Sequence, residues 1–256
     1  MVHDIKGAGA HGVIGALKDA LTLDRRQERH GQDVSDAHHP ALTSSFPKAV
    51  RVQRRVVGGC FYCCLMGNYF QTVVDLDATH ADARTLADTG LDWLVREGIV
   101  RAELTDCVLG APSGHPPGPS WAKAVGQEDW EPSDGLRIET GRTVFNCGQG
   151  EPRFAVCPHC AGRADFCTDR LEEIEGAWEP FGEAIEAWSD TGSAAVACPH
   201  CRRSGDLTAW TWSDGYFAFG YLGFEFWDWP DFSPGFLEGL SRALGGHRMV
   251  LMGGKL

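Results

Sequence analysis

Cys157-Pro158-His159-Cys160 recurs unchanged as Cys198-Pro199-His200-Cys201, with 37 residues between the copies. A C-x-x-C turn sets two thiolates on one side of a tight loop, and two such turns complete a tetrahedron around Zn2+ at Zn–S distances of about 2.3 Å. Pro in the second position stiffens each turn. The small residues that follow, Ala161-Gly162 and Ser204-Gly205, let the chain fold back while backbone N–H groups approach sulfur. A strand-like run precedes each copy, over 153–156 and 194–197. The expected ligands are therefore Cys157, Cys160, Cys198 and Cys201, holding one Zn2+. Four thiolates close the coordination sphere, so the predicted metal is structural and not catalytic. His159 and His200 lie inside the turns, where their rings point away from the metal, and Cys167 falls off the paired spacing.

These knuckles resemble those of zinc-ribbon proteins, with Cys157, Cys160, Cys198 and Cys201 at the four ligand positions. The resemblance covers the knuckles alone and implies a ribbon-like part; the long insert departs from a common ribbon. Other chemistries share the motif. C-P-H-C is also the active-site sequence of strong thiol oxidants of the thioredoxin superfamily, where it opens a helix and its first cysteine is acidic. That alternative makes the chain a thiol-disulfide oxidoreductase attacking through Cys157 and Cys198, but no amphipathic helix directly follows either copy. Zinc-dependent deaminases need an upstream H-x-E, which the sequence lacks. Disulfides are the third possibility, and the lack of a secretion signal argues for a reducing, cytoplasmic setting instead.

Within the insert, Leu171, Ile174, Trp178, Phe181, Ile185 and Trp188 recur at helical spacing, with Asp169 and Glu172 as a possible cap. Pro180 interrupts the run, which predicts a kink or a second helix starting there. The opposite face carries Glu172, Glu173, Glu175, Glu179, Glu183 and Glu186, either a solvated face or a docking surface for a basic protein. Residues 210–236 then hold 12 of the 26 aromatic side chains. Trp210, Trp212, Phe217, Phe219 and Tyr221 keep the two-residue period of a strand, and Asp214-Gly215 is a hairpin signal between them. Most of this segment reads as core, whereas Trp227-Asp228-Trp229-Pro230 ends in a turn and predicts an exposed Trp227/Trp229 contact pair. A helix over 234–244 and a strand over 248–252 finish the chain.

Upstream of the knuckles, a strand over 69–76 leads through Thr79 and Asp82, a capping-box pair, into a helix with Ala83, Leu86, Ala87, Leu91 and Leu94 on one stripe. Short strands are expected over 99–104 and 107–109, a proline-rich loop over 111–120 with a solvated His115, and ordered structure again over 136–145. The first 65 residues differ in composition. They hold nine basic and six acidic side chains, no Trp and little that would form a core, while the remainder carries 14 basic and 29 acidic side chains. The expected organisation is a disordered tail or over-extended start over 1–65, an α/β region over 66–150, and a zinc-ribbon-like region with helical insert and aromatic antiparallel sheet over 151–256. The fold class is α+β. Cys60, Cys63 and Cys64 read as incidental to the metal site.

A net charge of −12 opposes general binding to nucleic acid phosphates, leaving only a local patch at Arg202 and Arg203. No apolar run is long enough to span a membrane. Nor does any nucleophile and base pair, or metal-hydrolase motif, stand out. These observations predict an acidic, non-enzymatic, zinc-stabilised protein that acts by binding another protein, with Trp227, Trp229, Glu172, Glu179 and Glu183 as the candidate contact residues.

Overall fold

The computed structural model describes residues 68–128 and 130–255; Cys60, Cys63 and Cys64 lie outside them. Its α+β architecture is built on a four-stranded antiparallel sheet. The first of the described strands, β1 (Tyr69–Asp75), lies inside this sheet and not at its edge. It pairs with β8 (Phe217–Trp227) on one side and β9 (Met249–Lys255) on the other, and β2 (Leu136–Asn146) completes the order β2-β8-β1-β9. The sheet thus joins strands from both sides of residue 150. Six of the seven residues of β1 are buried, so both of its faces are covered. Val73 enters the helix-side core, Phe70 and Val74 pack on the other face, and the buried Gln71 donates both its N–H groups to the carbonyls of Trp229 and Pro230.

Two helices cover one face. The stripe read from the sequence places Ala83, Ala87 and Leu94 of α1 (Ala83–Arg96) in the core, with Leu86 and Leu91 packed against it. Asp82 accepts a hydrogen bond from the Thr79 N–H at 2.6 Å, the return half of a capping box. The C-terminal helix (Pro234–Ala243) supplies Phe236, Leu237 and Leu240, and its N-cap Ser233 accepts from the Phe236 N–H. The expected short strands over 99–109 reduce to isolated bridges, Val100 with Pro117 and Thr105 with Gly114, because the proline-rich loop can offer only scattered ladder partners.

The second core surrounds the knuckles. β3 (Phe154–Val156) pairs with β4 (Arg163–Asp165) and with β7 (Thr211–Trp212); β5 (Ala195–Ala197) pairs with β6 (Ser204–Asp206). Between the hairpins runs α2 (Glu179–Thr191), and the C-terminal helix is α3. Only the second half of the expected insert helix forms. Pro180 falls in the first turn, where its missing N–H costs nothing, and residues 168–178 turn instead. The Thr168 hydroxyl accepts the N–H groups of Arg170 and Glu172 in place of an Asp169 cap, and Leu171 is left 71% exposed with a positive φ. Phe181 meets Trp210 edge-on at 5.0 Å and Trp188 meets Phe219 at 5.1 Å, so α2 seals the aromatic cluster.

Asp214-Gly215 is a turn but not a hairpin. With φ of 60° and 65° it swings the chain out of the small sheet, where Trp212 faces Ala155, into the large one. β8 then bridges both cores. A bulge in β2 between Thr140 and Thr143 shifts its register against β8, and Phe219 packs with the core around the knuckles while Leu222, Phe224 and Phe226 pack beneath the helices. No described helix is long and apolar enough to cross a membrane.

Candidate metal centre

The two knuckles are built alike, residue for residue, at an offset of 41. Each hangs from a short hairpin, 154–156 with 163–165 and 195–197 with 204–206. In each, the fifth residue on from the first cysteine returns a carbonyl to that cysteine's N–H: Gly162 to Cys157 and Arg203 to Cys198, both at 3.0 Å. The residue after the second cysteine, Ala161 or Arg202, takes a left-handed φ of 56° or 59°. This tight reversal points the N–H of His159 at Cys157 Sγ and that of His200 at Cys198 Sγ, each at 3.4 Å, and Gly162 N–H donates to Cys160 Sγ at the same distance.

The four sulfurs converge. Cys157 and Cys201 lie 3.9 Å apart, Cys160 and Cys198 3.7 Å, and all four sulfurs fall within 4.8 Å of one another. The first cysteine of each knuckle is buried, Cys201 is half-buried and Cys160 faces solvent, so the centre sits at the rim of the aromatic core. All-sulfur donor sets suit thiophilic ions of tetrahedral preference. Loss of water works against the Cys198 thiolate, but the N–H groups of Cys201 and His200, with the neighbouring thiols, bring its pKa down to about 6. At Cys160 the Gly162 N–H favours the thiolate, yet lost hydration and three adjacent sulfurs push the pKa up to about 11. Cys167 stays apart, in a bridge with Glu173.

Sequence reasoning did not foresee what the two histidines do. His159 Nε2 lies 3.0 Å from the Ser204 carbonyl and His200 Nε2 2.6 Å from the Arg163 carbonyl, so each ring reaches the opposite hairpin. Gly162 makes room for this: a Cβ there would meet the His200 ring at 2.7 Å. The signal available was the identity of the repeats, which implies a local two-fold relation.

The other candidate residues separate. Glu179 and Glu183 are exposed one turn apart on α2, and Glu172 is exposed in the turn segment before it. Trp227 and Trp229 are not exposed; they are 4% and 0% accessible. They face different interiors. Trp227 packs at a tilt against Phe70, while Trp229 packs on Phe226 and donates its indole N–H to the Asp134 carbonyl, a turn made possible by the positive φ of Asp228 between them. Comparison with protein-family models, curated proteins and solved structures finds no match for the chain.

Proposed function

We propose that the four sulfurs hold one structural Zn2+ and that the protein is a non-enzymatic binding protein. The observation that carries the reading is the sulfur spacing. A tetrahedron with Zn–S arms of about 2.3 Å has edges of about 3.8 Å, against the 3.7 and 3.9 Å between knuckles. Zinc bound there supplies folding free energy, on the order of 10–16 kcal/mol in small zinc peptides, and leaves no open position for water or substrate. The thiol-disulfide reading loses support because each C-P-H-C turn leads into a strand, β4 or β6, and not into the helix such motifs open; the N–H groups that lower the Cys198 thiol belong to its own tight turn.

Binding of a basic protein is the activity this scaffold serves. The outer face of α2 carries Glu179, Glu183, Glu186 and Asp190 at one-turn spacing, with no basic residue in its last turn. Like charges so placed weaken the helix by a few tenths of a kcal/mol per pair and steer a cationic surface toward it. Elemental analysis of the purified chain tests the metal: one zinc per chain is expected, and a folded, zinc-free protein that oxidises a model dithiol would overturn the reading. Capture of partners by the wild type but not by Glu179→Lys/Glu183→Lys tests the surface.

A further inference from the structure

The sheet face opposite the helices carries a groove of about 320 Å³, a volume at the low end of small-molecule sites. Its floor follows one cross-strand row, in which the registers set Arg137 of β2, Glu225 of β8 and Thr72 of β1 side by side. Phe70 and Trp227, partners across β1 and β8 with ring centroids 5.3 Å apart, line it together with Phe145. The Phe145 ring lies over Gly223, where a Cβ would come within 2.4 Å of it.

The polar groups in this groove are incompletely matched. Arg137 is ion-paired with Glu139, and its other terminal nitrogen stands 4.0 Å from Glu225 Oε1. The Trp227 indole N–H donates to the same Oε1 at 2.8 Å. Among the described residues no donor reaches Glu225 Oε2, although the side chain is only 16% exposed. Two carboxylates against one guanidinium leave an excess of negative charge beside an aromatic wall. Solvent reaches that oxygen from the groove, so a ligand N–H there would take the place of water.

We propose that this groove binds a small organic ammonium compound, whose N–H groups donate to Glu225 Oε2 and whose apolar part lies against Trp227 and Phe70. The charge excess selects a cation over a carboxylate, since Arg137 is already engaged by Glu139. Burial also holds the Glu225 carboxyl above its ordinary pKa, the state that a bound cation relieves. This site is separate from the metal centre, and its failure would leave the zinc reading untouched.

The test is a titration of the 15N-labelled full chain with tyramine and with agmatine, using 3-(4-hydroxyphenyl)propionate as the anionic control. The Trp227 indole resonance, identified by its loss in Trp227→Phe, should shift and saturate with at least one amine below about 10 mM and not with the propionate. Glu225→Gln, which keeps the Oε1 acceptor, should retain the folded spectrum and bind that amine at least about tenfold more weakly. An indole unmoved by both amines, an equal response to the propionate, or undiminished affinity in Glu225→Gln would overturn the proposal.

Discussion

His200 Nε2 sits 2.6 Å from the carbonyl oxygen of Arg163, across the metal centre from its own knuckle, and His159 makes the reciprocal 3.0 Å contact with Ser204. The rings therefore pin each hairpin to the other, and on the proposed reading they lie outside the metal's ligand set. His200→Ala and His159→Ala should each lower stability by about 1 kcal/mol, the net worth of one such bond, with metal content unchanged. Denaturant unfolding alongside elemental analysis checks this; metal loss in either variant would place histidine in the ligand set.

Removing metal or a sulfur should act far more strongly. Cys198→Ser or excess chelator is expected to abolish zinc binding and disorganise the aromatic cluster around Trp210 and Trp212, read by near-ultraviolet circular dichroism, because Cys157 and Cys198 are part of that core. Ligation requires all four thiols to lose their protons. The Cys160 thiol, with its pKa pushed up to about 11, holds its proton across the physiological range, so zinc affinity should fall as the pH drops from about 8 to 6. Competition against a chromophoric chelator measures the slope, and a flat profile would be incompatible with thiolate ligation.

The knuckles were legible because their chemistry is local: two four-residue words fix two turns, and the turns fix four sulfurs. So was α1, whose stripe and Thr79/Asp82 pair are sequence-local too. What escaped the sequence was long-range. Nothing near Tyr69 says that β1 inserts between β8 and β9, strands more than 140 residues away. Nor does the alternation in β8 reveal the bulge opposite it in β2, or that its aromatics are shared between two cores. Trp227 and Trp229 misled because a turn next to Pro230 suggests exposure, whereas the left-handed Asp228 sends the two rings into separate interiors.

Gly90 offers a case in which packing should reverse propensity. Ala in a helix interior is ordinarily better than Gly by about 1 kcal/mol. At position 90 of α1, however, a Cβ would lie 2.5 Å from Cζ of Phe224, a ring with no solvent exposure and no room to retreat. Gly90→Ala should therefore destabilise the protein by roughly 1–3 kcal/mol, the range for overpacked cores. A urea midpoint equal to or above that of the wild type would show that the helix can lift from the sheet.

Glu225 gives the opposite expectation. Burial raises its carboxyl pKa, with the Trp227 N–H and Arg137 only partly offsetting that. A folded pKa above the unfolded one means the native state binds the proton more tightly. Stability is then fullest below the ordinary glutamate value and declines as the pH rises through the folded pKa. At neutral pH the ionised side chain thus opposes folding. Glu225→Gln removes the charge while keeping the acceptor for Trp227 and freeing Arg137 for Glu139, so it should melt roughly a few degrees higher than the wild type at pH 7. The gap should close toward pH 4, where both proteins are neutral at this position. Calorimetry across that range decides: a variant less stable at pH 7 would mean that Arg137 contributes more to the carboxylate than burial takes away, and that the groove is satisfied without a ligand.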